Sequence, residues 1–320
     1  MSAGSGNTAG GGYSSVSGGF SSQAESSWDA VSGGVFNIAK GGESSVTGGL
    51  GNTAGSIDSS IGGGCSNTTG ATAPSVSSLC SENGSQDGYA SVTGGSGNHA
   101  EGQDSSVGGG RQNDAVDEAS AVNGGLENKA KGLYSAIGGG KLNTAEAELS
   151  SLFGGYDNIV STAGGYSAIL GGSENSAEAE DASVSGGRKN RVQGKYSSLL
   201  GGLDNITQDE ESSIGGGESN YATGLRSSVS GGSQNIASGP HSSVSGGYEN
   251  RAEGENDSIS GGAQNTALTL SSSVSGGILN TAKVTESSVT GGFENFAEGE
   301  YSAILGGDKI RLSGAYGVSP

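Results

Sequence analysis

Along the whole chain a single aliphatic position recurs, flanked by small polar residues and followed by two glycines, as in SSVSGG at 242–247. Numbering the unit from that residue, position 1 runs from Met1, Val16, Val31, Val46, Ile61 and Val76 through Leu152 and Ile169 to Ile304. The result is 21 units spaced by 15 residues, with one residue added in the unit of Val76 and two between Leu152 and Ile169. Small–apolar–small alternation around position 1 has period two and predicts a strand. Positions 3 and 4, Gly in 19 and 20 units, predict a tight turn that needs positive φ or close backbone approach. A second alternation, Asn at position 7, Ala at position 9 and Gly at position 11, predicts a second strand, and polar positions 12 to 14 a second corner. No stretch between glycines is long enough to nucleate a helix. Two short strands and two turns per 15 residues predict an all-β chain: a parallel β-solenoid, one continuous repeat domain over 1–320, with small insertions near 77–91 and 159–167.

Stacked coils place each position above its own copy, about 4.8 Å away. Position 1 becomes an internal aliphatic column and position 9 an alanine column. Position 7 is Asn in 19 of 21 units, including Asn37, Asn52, Asn98, Asn113, Asn128, Asn143, Asn235, Asn250, Asn265, Asn280 and Asn295. An amide can donate to one neighbouring coil and accept from the other, so this column predicts a structural ladder that also bonds the turn backbone.

Composition excludes several classes. With 66 glycines and 5% aromatic residues, 320 residues cannot furnish two conventional cores. Low hydrophobicity and a net charge of −19 would alone suggest disorder, but a fixed period has no use in a disordered chain. Only 14 basic residues, nowhere clustered, argue against nucleic acid, and no stretch has the apolar length of a membrane span. The chain opens MSAGSGNTAG, already inside a repeat, and is read as an excerpt or mature segment.

Chemistry for catalysis is sparse. His99 and His241 fall at different phases, without Cys or carboxylate neighbours at metal-ligand spacing. No nucleophile elbow has a placed histidine, no glycine pair has a P-loop lysine, and Asp is not periodic as a calcium-binding roll would require. A non-enzymatic chain without cofactor or metal is expected.

The unit, Val-x-Gly-Gly-x-x-Asn-x-Ala-x-Gly-x-x-Ser, resembles the head repeats of trimeric autotransporter adhesins, the haemagglutinin-like repeats. Val at position 1, Gly at position 4 and Ala at position 9 carry the likeness, over essentially all 320 residues. The resemblance implies a left-handed β-roll, usually trimeric, on a cell surface. This unit departs from the family in its doubled serine, its Asn for Ser and its Gly for Ile at position 3. A second resemblance is to grass-type ice-binding β-rolls, through Asn-x-Ala-x-Gly followed by Ser-Val-Ser-Gly. Outward serines at positions 15 and 2, with Thr47, Thr93 and Thr290, would form the water-ordering face; Gly62, Gly108, Asn123, Phe153, Leu170, Leu200 and Leu305 interrupt it.

Position 5 carries Phe20, Leu50, Leu126, Leu203 and Phe293, and position 13 carries Tyr13, Trp28, Tyr134, Tyr196 and Tyr301. Such apolar rows either stack along the corners within one chain or form a lateral contact between chains, as in an oligomer. Cys65 and Cys80 both fall at position 5 of successive units, about 5 Å apart if stacked, which predicts a disulfide and an oxidising, extracellular location. Of the sequons at Asn67, Asn83, Asn205 and Asn256, three lie in the internal column and only Asn256 is a candidate glycan acceptor. The repeat runs through both ends of the chain, which predicts end-to-end association. The combined expectation is a rigid, acidic, extracellular solenoid of roughly 100 Å, serving as a structural or adhesive fibre. Its surface or glycan partner is not named by any residue, and ice binding is the alternative.

Overall fold

The computed structural model describes residues 4–70 and 89–320. It is an all-β parallel solenoid, with no helix among the described residues. Each coil contributes two two-residue strands, one at positions 15 and 1 (Ser15–Val16) and one at positions 8 and 9 (Gln23–Ala24). Each strand pairs in register with its copy in the next coil, Val16 with Val31 and Ala24 with Ala39. The chain forms two compact units, Met1–Tyr166 and Ser167–Pro320. In the first, one sheet runs from Thr8–Ala9 to Ile159–Val160 and the other from Ser15–Val16 to Ser151–Leu152. In the second, the sheets run from Ser176–Ala177 to Arg311–Leu312 and from Ala168–Ile169 to Val318–Ser319. The core is thin: the aliphatic residues of position 1 and the alanines of position 9 are almost fully buried, as are the asparagines of position 7 and the serines of position 14.

A third ladder runs along position 5, where single residues bridge in parallel from Phe20 to Val35 to Leu50 to Cys65. No alternation marks it, because one residue has no period.

The turns use left-handed backbone more than the glycines suggest. Residues at positions 6 and 13 have positive φ whatever their side chain, as at Phe36 (54°), Glu127 (57°), Trp28 (63°) and Tyr134 (56°). An L-residue there costs about 1–2 kcal/mol. The benefit is directional. The N–H groups of positions 5 and 8 point to the following coil, as Phe20 to the Gly34 carbonyl (2.9 Å). Those of positions 6 and 13 point back to the preceding one: Phe36 donates to the Phe20 carbonyl (2.9 Å) and Trp28 to the Gly12 carbonyl (2.9 Å). A left-handed residue turns its peptide over, so donors are supplied to both neighbours.

The two glycines of each turn differ. At position 4 φ is near 90° (93° at Gly49), and a methyl group on Gly49 would sit 2.1 Å from the Gly64 carbonyl oxygen and 2.5 Å from Asn52 Nδ2. Glycine is obligatory there. At position 3 a methyl group would meet open space, as at Gly48, Gly186 and Gly291. The expectation that both glycines serve the turn is therefore corrected at these position 3 glycines, while Gly63, Gly109, Gly139 and Gly216 keep a positive φ of 154–158°.

The stack also omits one unit. Val92 pairs directly with Ile61 and Ser91 with Ser60, so no coil stands between them, and there are about 20 coils rather than 21. Tyr89 donates to the Ile57 carbonyl (2.9 Å), completing at position 13 the coil begun at Ile61. Val76 lies outside the described residues.

Candidate functional site

The internal amide column is used by the fold, whereas in the position 14 column the hydroxyls of Ser105, Ser135, Ser242 and Ser302 are buried without a hydrogen-bond partner among the described residues. Asn128 Nδ2 donates to the Gly124 carbonyl of its own turn (2.8 Å) and the Gly140 carbonyl of the next (3.0 Å). Its Oδ1 accepts from the Asn143 N–H (3.0 Å). The same pattern repeats at Asn37, Asn52, Asn98, Asn113, Asn143, Asn235, Asn250, Asn265 and Asn280, each without solvent exposure. Asn295 continues it, accepting from the Ile310 N–H (2.9 Å). Each amide thus bonds the carbonyl of its own turn and adds a second donor to the next coil's position 4 carbonyl, which also accepts a position 5 N–H, as Gly140 does from Leu126 (3.0 Å). Of the sequons, Asn67 and Asn205 are fully buried in this column, Asn83 lies outside the described residues, and Asn256 is exposed at position 13.

At position 14, Asp29 and Asp257 replace the usual serine and are buried. Burial pushes the Asp257 carboxyl above its ordinary range, although Gly254 N–H (2.7 Å), Ser272 N–H (2.8 Å) and Ser272 Oγ (2.8 Å) all donate to it.

Outside, the coil has two contrasting faces. The sheet of positions 8 and 9, with its flanking corners, carries the charge. Same-phase ion pairs link successive coils, such as Lys131 with Glu146 (2.8 Å) and Arg226 with Glu211 (2.9 Å), both exposed and individually worth little. Between positions 6 and 8 the surface hollows into a groove of about 430 Å³ lined by His99, Gln112, Asp114, Glu127, Lys129 and Leu142. The second unit has a hollow of about 260 Å³ at the same phase, lined by Gln234, Glu249, Arg251, Gln264 and Thr266. His99 does have a carboxylate neighbour, contrary to the sequence expectation: its Nδ1 lies 3.0 Å from Asp114, which also faces Lys129 (3.4 Å). Residues 15 apart at one phase become neighbours, which a search for short metal-ligand spacings does not test. Nearby, burial raises the Glu101 carboxyl while His99 pulls it down. His99 Nε2 is buried without a hydrogen-bond partner among the described residues. Among the described residues, no group of three or more His, Cys, Asp or Glu side chains gathers as a metal site.

The opposite face, positions 15, 2 and 3, has no charged residue in any described coil. The described charges lie at positions 5 to 13, save the two buried aspartates. Serine, alanine and glycine dominate this face, and Phe153, Leu170, Leu200 and Leu305 stand out from it, each more than half exposed. Beside Phe153 lies a recess of about 150 Å³, over Gly138 and lined by Ala121, Asn123, Ala136, Ile137 and Ser151.

The expected contact ridge of position 5 is only partly open: Phe20, Leu203 and Phe293 are exposed by 48%, 38% and 40%, while Leu50 and Leu126 are less so. Cys65 is disulfide-bonded, and Cys80 lies outside the described residues. The reasoning from adjacent rungs is corrected, because the ladder neighbours of Cys65 are Leu50 and Ser96.

No protein-family model matches the chain, and no curated protein matches it. No helix among the described residues is long and apolar enough to cross a membrane.

Proposed function

We propose that this chain is a non-enzymatic structural module of an extracellular fibre, a rigid acidic solenoid that spaces and displays whatever it is joined to. The observation that supports this reading is the uniform coil-to-coil bonding. Within each unit, successive coils join through three backbone ladders and, at most steps, a buried amide ladder, with the same residue types at the same phase. Such repetition yields length and stiffness rather than a unique reaction centre. The excess of acidic over basic side chains keeps copies soluble and limits unspecific association through the charged face. Chains joined end to end, and an adhesive contact with a surface or glycan, belong to this proposal, as does the glycan at Asn256.

Ice binding is the second reading. It is favoured by five consecutive coils in which both outward positions carry hydroxyls: Ser228 and Ser230, Ser243 and Ser245, Ser258 and Ser260, Ser273 and Ser275, Ser288 and Thr290. Electron micrographs of the native material decide between the readings when paired with growth of single ice crystals in the purified protein. Long fibres with an axial repeat near 4.8 Å and round, unshaped ice support the fibre. Discrete particles and faceted ice overturn it in favour of the alternative.

A further inference from the structure

Asparagine occurs in two chemically different situations in this chain. In the position 7 column the amide is buried and bonded at both ends, as at Asn128. The N–H of the residue that follows is spent on the strand ladder, as Lys129 donates to the Asn143 carbonyl (2.8 Å). Asn123 stands outside that column, at position 2, and is exposed. Its side chain has no hydrogen-bond partner among the described residues, and neither has the N–H of Gly124 that follows it. Ladder bonds resume on either side: the Asn123 N–H donates to the Ile137 carbonyl (2.9 Å) and the Leu126 N–H to the Gly140 carbonyl (3.0 Å). The Gly124 nitrogen lies in the gap between them.

Glycine removes the remaining obstacle. A main-chain nitrogen can attack the carbonyl carbon of the preceding asparagine side chain, and a side chain on the attacking residue crowds that approach. Gly124 has none, and a methyl group there would meet nothing nearer than the Gly109 carbonyl oxygen at 3.8 Å. Asn123 also borders the recess of about 150 Å³, which leaves its amide room to swing and admits water. Asn256, the other exposed asparagine outside the column, differs: it precedes Asp257, whose N–H is bonded to the Gly254 carbonyl (3.3 Å). A second Asn–Gly pair, at 83–84, lies outside the described residues.

We propose that Asn123–Gly124 is a site of spontaneous modification, at which the folded chain converts an amide into a carboxylate through a cyclic imide. Hydroxide removes the Gly124 amide proton, and the nitrogen attacks Asn123 Cγ. The new N–Cγ bond closes a five-membered succinimide, and the Cγ–Nδ2 bond breaks, releasing ammonia. Water then opens the ring. Addition at Cγ gives aspartate, whereas addition at the main-chain carbonyl gives isoaspartate, in which the chain continues through Cγ. One water is consumed and one ammonia leaves, with no change of oxidation state. Either product puts a negative charge on the face of positions 15, 2 and 3, which carries none in any described coil. The extra main-chain methylene of isoaspartate falls in the gap between the two ladder bonds, so the coil keeps both. This chemistry is independent of the fibre reading, since either can hold without the other.

Incubating the folded whole chain at neutral and mildly alkaline pH, followed by proteolysis and peptide mass spectrometry, tests it. The expected result is replacement of NH2 by OH at Asn123, with both aspartyl and isoaspartyl peptides and a first-order rate that rises in proportion to hydroxide. Gly124→Ala adds a methyl group to open space, at a φ outside the left-handed region, so the fold is kept. It is expected to slow the reaction about tenfold, equal to about 1.4 kcal/mol of barrier. Asn123→Gln, whose closure needs a six-membered ring, is expected to stay unmodified. A synthetic peptide of residues 119–128 gives the rate without the fold. A folded chain whose Asn123 stays intact while that peptide reacts overturns the proposal, because the fold then blocks the attack. A Gly124→Ala chain that reacts as fast as the wild type, or a product without isoaspartate, also overturns it and assigns the change to direct hydrolysis of the amide.

Discussion

The two corners of each coil solve the same problem with different tolerance. The first, positions 3 to 7, turns through Gly at position 4, then a left-handed residue, and closes on the buried Asn. The second, positions 11 to 14, turns through a left-handed residue at position 13 and closes on a buried Ser. At position 13 the side chain points outward, so Tyr, Trp, Asp, Glu, Arg, His and Asn all occur there. At position 4 it would point along the stack into the next coil's carbonyl, so nothing but glycine occurs in any described coil. Both corners carry backbone strain. Both also approach the next coil closely, since a methyl group on Gly41 at position 11 would sit 1.9 Å from the Ser56 carbonyl oxygen, but position 11 admits Ser, Ala, Asp and Thr in other described coils whereas position 4 admits none.

The strongest way to break this contrast is Gly49→Ala. A methyl group 2.1 Å from the Gly64 oxygen cannot be relieved without parting two coils, and a loss of roughly 3 kcal/mol or more is expected in denaturant unfolding. The adjacent Gly48→Ala should leave the midpoint unchanged or slightly raised. Equal effects from the two substitutions would contradict the stacking geometry.

An intermediate effect of opposite sign is expected at the second corner. Asp257 is a buried carboxylate at a position that most coils fill with serine, whose hydroxyl can accept in the same way, as Ser197 Oγ does from the Ser212 N–H (3.0 Å). Burial raises its folded pKa, so the folded chain holds that proton to higher pH than the unfolded one. The resulting deficit is absent below the ordinary carboxylate pKa, about 4, and grows as pH rises from there through the raised value. Asp257→Ser should therefore stabilise by about 1–2 kcal/mol at pH 7 and by little near pH 3. A gain independent of pH would assign the effect to packing instead.

The smallest effect is expected at Glu286, exposed at position 13 with φ of 52°. Glu286→Gly relieves left-handed strain and is expected to raise stability by roughly 0.5–1 kcal/mol in thermal melts. A loss would mean that the side chain at position 13 contributes more than the backbone strain it causes. Stacked rings such as Tyr301 on Tyr316, 4.9 Å apart, could do so where aromatics are adjacent, which they are not at Glu286.

The sequence by itself determined the period, the two strands, the aliphatic and alanine columns, and the Asn ladder. Each of these is written as the same residue type at the same phase, and parallel stacking converts phase directly into contact. The tertiary structure alone decided what depends on direction or on distance along the stack. Left-handed residues at positions 6 and 13 leave no signal, because ladder hydrogen bonds hold them there whatever their side chain. The bridge at position 5 is too short to have a period. His99 meets Asp114 only because one coil separates them, and Val92 pairs directly with Ile61 although the sequence places the in-phase Val76 between them. The paired glycines look alike in sequence. Only the closeness of the next coil's carbonyl shows that position 4 serves the fold, while position 3 faces outward.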